Sequence, residues 1–410
     1  MSEKVLLVVI DLRKTRDWPL KDVADELHGL VTSCGGEVID IVLCKSIDPT
    51  PTYLIGEGKV KEIAELCLTK DIDTVIFSQD LKGSQQRNLE EVFDAKTIDR
   101  TQLILDIFAK RATSQEGKMQ VELAQLEYLL PRMTGKGIEL SRLGGGIGTS
   151  GPGETKLEVD RRRVNQRISK LKQELKEVSA ARKVSRKKRQ ESKIPAVSIV
   201  GYTNAGKSTL LNALTDAHQE TKDGLFTTLD PLARQFVFQN HQKVIFSDTV
   251  GFMHHLPHKL IEAFKATLEE VIEADLLLHV VDVSHPKFRD YHDSVLEVLK
   301  ELGAENKKVI TVFNKIDNLE QRAGLKDLAD SFENAVFISA KTKENVDALI
   351  EKVQELIAGA LVEINVDIPL NRMDLVNLIH KEGTMHKIEY FSDKIQLSAS
   401  IPPKIANKFQ

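Results

Sequence analysis

A glycine-rich turn that ends in lysine and serine carries the clearest chemistry in the sequence. It follows an apolar run, Ala196–Val200, and leads into a stretch of helical character. A glycine loop that ends in lysine and serine between a strand and a helix is typical of a P-loop. Its N–H groups cradle phosphates, its lysine reaches the β and γ oxygens, and the Ser208 hydroxyl binds Mg²⁺. As a position between loop and helix, Lys207 is expected to be exposed. The spacing G-x-x-x-x-G-K-S predicts nucleotide binding by Gly201, Tyr202, Thr203, Asn204, Ala205, Gly206, Lys207 and Ser208.

A second motif, D-x-x-G, stands at the end of another apolar run, Lys243–Ser247. A carboxylate at that place can hold Mg²⁺ through water, and the glycine N–H can reach a γ-phosphate. The pattern is common in proteins, but after a P-loop it predicts a switch segment. Its residues are Asp248, Thr249, Val250 and Gly251.

Two further motifs indicate which base the nucleotide carries. N-K-x-D follows the apolar run Lys308–Phe313, and S-A-K follows a later one. The carboxylate of N-K-x-D can accept N1–H and the 2-amino group of guanine. Adenine lacks that amino group, so the site is left under-bonded by the wrong base. The Ala340 N–H can meet guanine O6. The predicted guanine-binding residues are Asn314, Lys315, Ile316, Asp317, Ser339, Ala340 and Lys341.

The charge of the chain is distributed unevenly. The 57 Lys and Arg against 61 Asp and Glu give a net charge of −4. Between Glu154 and Lys193, however, 15 basic residues face 6 acidic ones, a local +9, so the other residues carry −13. A basic segment on an otherwise acidic chain predicts one surface built for a polyanion.

Composition excludes several classes of protein. The longest aliphatic run, Val5–Ile10, is far shorter than the ~18 apolar residues of a membrane span. The first residues show no signal-peptide pattern. The three cysteines are too few for a zinc site or a disulfide framework and are expected to be buried thiols. We therefore expect a cytoplasmic protein with no stable membrane insertion.

Short apolar runs alternate with amphipathic stretches along most of the chain. This alternation is typical of parallel α/β sheets, and the P-loop region predicts a doubly wound sheet. The expected fold is therefore multi-domain α/β. The predicted domains are an N-terminal parallel α/β domain (1–110), a helical arm (111–193), a P-loop domain (194–360) and a small α+β domain (361–410).

The predicted arm consists of two helices with a glycine-rich loop between them. Apolar residues recur at a 4-3-4-3 spacing, which predicts seams that pack on each other in antiparallel fashion. The first seam is Met119, Leu123, Leu126, Leu130 and Met133, and the second is Val164, Ile168, Leu171, Leu175 and Val178.

The loop, Gly144–Glu154, contains six glycines. It is either a flexible connector or a loop whose backbone approaches RNA closely. The basic segment that follows favours contact with nucleic acid. The candidate RNA-binding residues are Gly148, Gly151, Gly153, Arg161, Arg162 and Arg163.

The motifs, taken in order, resemble the HflX family of translation-factor-related P-loop GTPases, in the Obg–HflX group. The resemblance extends beyond the P-loop domain to the glycine loop with the sequence LEVDRR after it, and to VELAQL at 121–126. A family-like switch I pattern covers Phe226, Thr227, Thr228, Leu229 and Asp230. The resemblance implies that these five residues bind nucleotide, that Thr228 joins Ser208 as a Mg²⁺ ligand, and that Lys207, Thr228 and Gly251 are catalytic.

Switch II departs from the Ras pattern. Phe252 and Met253 stand where Ras-like enzymes carry a water-orienting glutamine. The resemblance to GTPases with such hydrophobic replacements implies slow intrinsic hydrolysis that is completed by a group supplied from elsewhere, with ribosomal RNA expected. The alternative is that His254 or His255 orients the water.

The resemblance implies a Mg²⁺-dependent GTPase that binds GTP and GDP, acts as a monomer and docks on the large (50S) ribosomal subunit and its rRNA. Its role would be ribosome splitting and recycling under stress, or ribosome biogenesis. An alternative is an ATP-dependent RNA-remodelling module in the N-terminal region with a regulatory G domain, although no second complete P-loop precedes residue 194. A scaffold with an inactive G domain conflicts with the intact Lys207, Ser208, Thr228 and Asp248.

Overall fold

A computed structural model gives the structure of the chain. It describes residues 2–12, 18–133, 156–191, 194–215, 225–226, 232–240, 242–253, 265–320, 322, 324–357, 362–401, 403–406 and 408–409. These residues form two compact units. Of the described residues, the N-terminal unit contains those up to Val184 together with Leu225, Phe226, Lys265 and Ala266, and the C-terminal unit contains the others.

A four-stranded parallel sheet forms the centre of the N-terminal unit. The residues Val5–Ile10 of its inner strand are all at most 3% exposed, because helices cover a parallel sheet on both faces. The strands are β1 (Lys4–Leu12), β2 (Glu37–Ile47), β3 (Thr74–Phe77) and β4 (Lys96–Asp99), in the order β2-β1-β3-β4. The helices are α1 (Leu20–Cys34), α2 (Glu57–Lys70), α3 (Gly83–Phe93) and α4 (Arg100–Arg111).

The last residue of β4 fixes the start of α4. One Asp99 carboxylate oxygen accepts the Gln102 N–H at 2.9 Å, which caps the helix. The other accepts the Leu81 N–H at 3.0 Å and an Arg132 guanidinium N–H at 3.0 Å. Asp99 is fully buried, and burial raises the pKa of its carboxyl. These donors therefore compensate a costly buried charge.

The arm contains both predicted helices, α5 (Gln115–Leu129) and α6 (Lys156–Glu191). The first predicted seam does not form the buried stripe of α5. That stripe is Gly117, Val121, Ala124 and Tyr128, and α5 packs with it near α4. Among the side chains of α6 that the structure describes, Ile168 and Leu171 are buried, and both belong to the second predicted seam.

Ion pairs connect α5 and α6. Arg167 makes two hydrogen bonds of 2.6 Å to Glu122. Lys172 lies 2.7 Å from Glu127, and Arg182 pairs with Glu116. Three basic residues of α6 are therefore neutralised by α5.

A six-stranded sheet forms the centre of the P-loop domain in the C-terminal unit. Five strands are parallel, and the edge strand β6 is antiparallel to β7. The strands are β5 (Ala196–Gly201), β6 (Leu232–Val237), β7 (Lys243–Asp248), β8 (Leu276–Asp282), β9 (Lys308–Asn314) and β10 (Ala335–Phe337), in the order β10-β9-β8-β5-β7-β6. The helices are α7 (Lys207–Thr215), α8 (Lys265–Glu273), α9 (Phe288–Glu301), α10 (Leu325–Asp330) and α11 (Val346–Ile357).

A three-stranded antiparallel sheet ends the chain. Val376 and Ile379 of its helix are buried together with Ile395, Leu397 and Ala399 of the central strand. The elements are β11 (Val362–Pro369), α12 (Met373–Glu382), β12 (Thr384–Tyr390), β13 (Lys394–Ile401) and α13 (Pro403–Ala406), with strand order β11-β13-β12.

The multi-domain α/β fold class is confirmed. The four domain boundaries stay a prediction. Among the helices that the structure describes, none combines the length and the hydropathy that crossing a bilayer requires.

Candidate functional site

The P-loop turns where only glycine fits. Gly201 ends β5 with a φ of +154°, and a Cβ there would lie 2.3 Å from the Val280 carbonyl oxygen. Gly206 has a φ of +96°, and a Cβ there would lie 2.3 Å from the amide nitrogen of Asn314. A side chain at Gly201 would require the backbone of β8 to move, and one at Gly206 would displace the Asn314 side chain. The glycines of the motif thus set the path of the loop.

Lys207 begins α7 and is not exposed as the sequence suggested. It is only 7% exposed, and its ammonium donates a hydrogen bond of 2.8 Å to the Tyr202 carbonyl. Burial lowers the pKa of Lys207 to about 8, and the Asp248 carboxylate opposes this shift. The expectation was wrong because the loop folds back over the lysine and encloses it. A desolvated ammonium held inside the loop is suited to bind phosphate oxygens.

Ser208 and Asp248 are in direct contact. The serine hydroxyl donates a 2.6 Å hydrogen bond to the Asp248 carboxylate. Asp248 is fully buried at the end of β7, beside Thr249, whose hydroxyl donates 2.7 Å to the Ile199 carbonyl. A hydroxyl and a carboxylate are hard oxygen ligands of the kind Mg²⁺ prefers. The two residues therefore fit a magnesium site next to the phosphate cradle.

Asn314 joins three parts of the site. Its amide nitrogen donates 2.9 Å to the Ala205 carbonyl, and its amide oxygen accepts the Ala340 N–H at 2.9 Å. The side chain therefore holds the P-loop and the S-A-K loop against the end of β9. The sequence assigned the Ala340 N–H to guanine O6, whereas in this structure that N–H is donated to Asn314.

One carboxylate oxygen of Asp317 has no hydrogen-bond donor among the described residues. Its Oδ1 is buried and accepts no hydrogen bond from any residue that the structure describes. Leaving a buried carboxylate oxygen without a donor costs about 1–3 kcal/mol or more. Such an atom is a natural acceptor for the N–H groups on one edge of guanine.

The switch II segment is attached to the P-loop. The Thr203 N–H donates 2.8 Å to the Phe252 carbonyl, and the Phe252 N–H donates 3.0 Å to the Gly201 carbonyl. A Cβ on Gly251 would lie 2.9 Å from the Thr203 Cα and 3.1 Å from the Lys207 ammonium, so only glycine permits this approach. Phe252 and Met253 are buried at 4% and 1% exposure, which places neither side chain as a water-orienting group.

One predicted site residue belongs to the N-terminal unit, and several others are not described. Phe226 is 2% exposed within the N-terminal unit and packs edge-on against Phe108 of α4, with ring centroids 4.7 Å apart. The Leu225 N–H donates 2.9 Å to the Ser33 hydroxyl of the same unit. The predicted residues Thr227, Thr228, Leu229, Asp230, Gly148, Gly151 and Gly153, and also His254 and His255, lie outside the described residues.

Sequence reasoning missed two residues that support the site, Asp282 and Tyr291. Asp282 is the last residue of β8. Its carboxylate forms an ion pair with the ammonium of Lys315 in N-K-x-D, at 2.7 Å. Tyr202 was assigned to nucleotide binding as a loop residue, but its ring stacks on Tyr291 of α9, with centroids 4.1 Å apart. The position of Asp282 at the end of an apolar strand was a signal that could have found it. Tyr291 lies far away in the sequence and outside any motif.

Comparison with protein families covers most of the chain. The model described as GTP-binding GTPase N-terminal matches residues 21–109, and the GTP-binding GTPase Middle Region matches residues 111–189. A family described as 50S ribosome-binding GTPase matches residues 196–315. The HflX C-terminal domain matches residues 324–407.

Individual relatives match over nearly the whole length. GTPase HflX of Caldanaerobacter subterraneus is 44% identical over 410 residues, which covers 100% of this chain and 93% of the relative. GTPase HflX of Escherichia coli is 41% identical, covering 88% of this chain and 85% of the relative. Among solved structures, SsGBP in complex with GDP is similar at 27% identity and a TM-score of 0.50, covering 87% of this chain and 98% of that one. The chain therefore belongs to the HflX family of GTPases.

Proposed function

We propose that this GTPase uses Mg²⁺, selects guanine through Asp317, and acts on the large ribosomal subunit. The observation that best supports the base selectivity is the buried Asp317 Oδ1, which accepts no hydrogen bond from the described residues. Guanine offers two N–H donors on one edge, and adenine offers no matching pair. A nucleotide with the wrong base would leave this carboxylate buried without donors.

The phosphate end of the nucleotide is handled by Lys207 and the loop N–H groups. We propose that Lys207 leaves the Tyr202 carbonyl, 2.8 Å away, for the β and γ oxygens. Negative phosphate favours the charged form of the lysine, so nucleotide binding offsets the burial that lowers the pKa of its ammonium. The Gly251 N–H would then act on the γ-phosphate, where charge develops during hydrolysis.

Magnesium would be held by Ser208 and by Thr228, with Asp248 acting through water. The 2.6 Å contact between the Ser208 hydroxyl and the Asp248 carboxylate brings suitable oxygen donors together. When bound, the ion neutralises charge on the β and γ oxygens. Ser208 in the first turn of α7 and Asp248 at the end of β7 are already in contact, so little rearrangement of these two side chains is needed.

The step that this chain does not complete by itself is the orientation of water. Phe252 and Met253 occupy the relevant positions and are buried. Hydrolysis by the free protein is therefore proposed to be slow, and a group on ribosomal RNA is proposed to complete the site. The stimulated rate would then depend on docking.

The proposed docking face is the N-terminal part of α6. Arg161, Arg162 and Arg163 are exposed, whereas Arg167 and Lys172 are paired with glutamates of α5. Arg163 also lies 3.8 Å from Asp160 of the same helix. The three guanidinium groups lie at the surface, where phosphates, which supply most of the affinity for RNA, can reach them. The acidic remainder of the chain would be repelled by rRNA, so binding is proposed to concentrate on this face together with the glycine loop that precedes it.

We propose that GTP favours the docked conformation and hydrolysis releases it. The biological role is then splitting and recycling of ribosomes under stress, or large-subunit biogenesis, by a cytoplasmic monomer. Pelleting with purified large subunits tests this proposal. The chain should pellet with large subunits in a non-hydrolysable GTP analogue and much less in GDP. Equal pelleting with small and large subunits, or none with either, would refute it.

A further inference from the structure

We propose that Tyr291 is a positioning residue for Lys207, acting through the stacked ring of Tyr202. The inference rests on the proposed role of Lys207 in phosphate binding. Neither tyrosine ring needs to touch the nucleotide for this role. Tyr291 would act by fixing the segment of P-loop backbone on which the lysine rests.

The two rings form a tight, parallel stack. Their centroids are 4.1 Å apart and their planes differ by 7°. Tyr202 is 6% exposed, so its ring is enclosed on α9 rather than pointing to solvent. Stacked aromatic pairs contribute beyond the area they bury. The first variable residue of the P-loop is thereby fixed to a helix that lies outside the motif.

The backbone of Tyr202 carries three contacts that matter for phosphate binding. Its carbonyl accepts the Lys207 ammonium at 2.8 Å and the Ala205 N–H at 3.3 Å. Tyr202 also forms an isolated parallel bridge with Phe252 of switch II. A shift of this residue would therefore move the resting place of the lysine, the turn of the loop and the start of switch II together.

His285 holds Tyr291 in place. The Lys287 backbone N–H donates 3.1 Å to the histidine Nδ1, which requires a lone pair there and so puts the proton on Nε2. That nitrogen lies 3.4 Å from the Tyr291 hydroxyl. The two rings are also in contact, with centroids 4.5 Å apart. Tyr291 is thus held between Tyr202 on one side and His285 on the other.

The loop that carries His285 is also tied to the guanine end of the site. The His285 N–H donates 3.2 Å to the Asp282 carbonyl, and the Asp282 carboxylate pairs with Lys315 at 2.7 Å. A continuous set of contacts thus runs from Lys315 through this loop and Tyr291 to Tyr202 and Lys207. Tyr291 therefore lies between the base-recognition motif and the phosphate cradle.

Two substitutions at Tyr291 and one matched control test the inference. Tyr291→Leu removes the stack, whereas Tyr291→Phe keeps it and loses only the hydroxyl. Tyr390→Leu makes the same change at a tyrosine that is 64% exposed on β12. The affinities for fluorescent GTP and GDP, the kcat and KM for GTP, and the melting temperature would be measured for the full chain.

Tyr291→Leu should weaken binding of both nucleotides by roughly 3- to 10-fold and lower kcat by a similar factor. Tyr291→Phe should retain most of the wild-type values, and Tyr390→Leu should match wild type. If Tyr291→Leu only lowers the melting temperature and leaves affinity and kcat at 15 °C unchanged, its role is structural and the inference is wrong. The proposed role of Lys207 in phosphate binding is tested separately. If Lys207→Ala bound GTP normally, that role would be wrong whatever the result at Tyr291.

Discussion

At the scale of single residues, the base preference should depend on Asp317. Asp317→Asn replaces a carboxylate oxygen by an amide that donates, so it should disfavour guanine and favour xanthine. We expect GTP affinity to fall by about 10- to 100-fold, the value of a hydrogen bond to a charged group, and XTP hydrolysis to appear. Competition between labelled GTP and unlabelled XTP measures the affinities, and phosphate release measures XTP hydrolysis. A variant that turns over GTP at the wild-type rate and ignores XTP would show that another residue reads the base.

Lys207→Ala should remove tight GTP binding without unfolding the chain. The lysine is buried, but its ammonium makes only the 2.8 Å contact with the Tyr202 carbonyl among the hydrogen bonds that the structure describes. Loss of its charge-assisted contacts to phosphate should cost about 100-fold in affinity. Lys300→Ala, at an exposed position of α9, is the matched control. Equal GTP affinity of the two variants would remove the P-loop assignment.

The same lysine predicts a pH effect on the protein without nucleotide. Its pKa is about 8 in the folded chain against 10.5 for an ordinary lysine. The unfolded state therefore binds more protons between these values, and stability should rise with pH across that window by up to about 3 kcal/mol. Lys207→Ala should lose this rise, as urea unfolding at pH 7.5 and pH 10 would show.

The motif residues could be predicted from the sequence, but the side chains that contact them in the folded chain could not. The order and spacing of the four motifs located Ser208, Asp248 and Asp317 without a structure. Tyr291 has no local signature, and the position of Asp282 at the end of an apolar strand does not identify its partner Lys315, since these contacts form between elements that meet only after folding. The burial of Lys207 was missed for the same reason, because the enclosing backbone is set by two glycines with positive φ.

At the scale of elements, strongly apolar strands were predictable and exposed ones were not. β1 contains a continuous run of Val, Leu and Ile, and β5 and β8 are mostly apolar, because these strands are buried on both faces. β6 lies at the sheet edge with Arg234 and Gln235 exposed, so it lacks an apolar run. The seam on α5 was misassigned because several stripes of that helix are apolar, and the fold buries the one containing Val121 and Tyr128.

The strand β8 contains a buried histidine that should make stability depend on pH. His279 is 1% exposed, stacks on His292 with centroids 4.7 Å apart, and has no hydrogen bond to either ring nitrogen from the described residues. Burial, and then the nearby His292 and Lys207, hold the pKa of His279 well below 6.5. The unfolded state therefore binds the proton first, so stability should fall as pH drops below about 6.5.

His279→Leu tests this expectation. In the wild type, protonation of His279 should lower the free energy of unfolding by up to about 1.4 kcal/mol per pH unit between pH 6.5 and pH 5. The variant should lose this contribution, as urea unfolding at a series of pH values would show. His28→Leu, at an exposed position of α1, is the control and should keep the wild-type slope. Parallel curves for all three proteins would mean that the protonation of His279 does not contribute.

At the scale of the whole molecule, the charge pattern predicts how binding responds to salt. Changing Arg161, Arg162 and Arg163 to glutamine should weaken binding to large subunits. The slope of log affinity against log salt should become shallower by the contribution of up to about three phosphate contacts. Pelleting at several salt concentrations measures the slope. Glutamine at Lys21, Lys61 and Lys300, which are exposed on other helices, makes the same charge change. If the two triple variants behave alike, net charge rather than this face governs docking.

The assignment of residues to units was the least predictable feature of the molecule. The local +9 segment was visible in composition alone, but only the structure shows that Arg167, Lys172 and Arg182 pair with glutamates of α5. Phe226 belongs by sequence to the switch I pattern of the P-loop domain, yet it packs in the N-terminal unit. Phe226 is apolar and could have been buried in either unit, so no sequence rule decided between them.

The central claim is that this GTPase is completed by the large ribosomal subunit. The most direct measurement is the rate of GTP hydrolysis by the full chain with and without purified large subunits, at saturating GTP and Mg²⁺. We predict a slow basal rate, strong stimulation by large subunits, and loss of most of that stimulation in the Arg161, Arg162, Arg163 triple variant at an unchanged basal rate. An equal rate with and without large subunits would contradict the account.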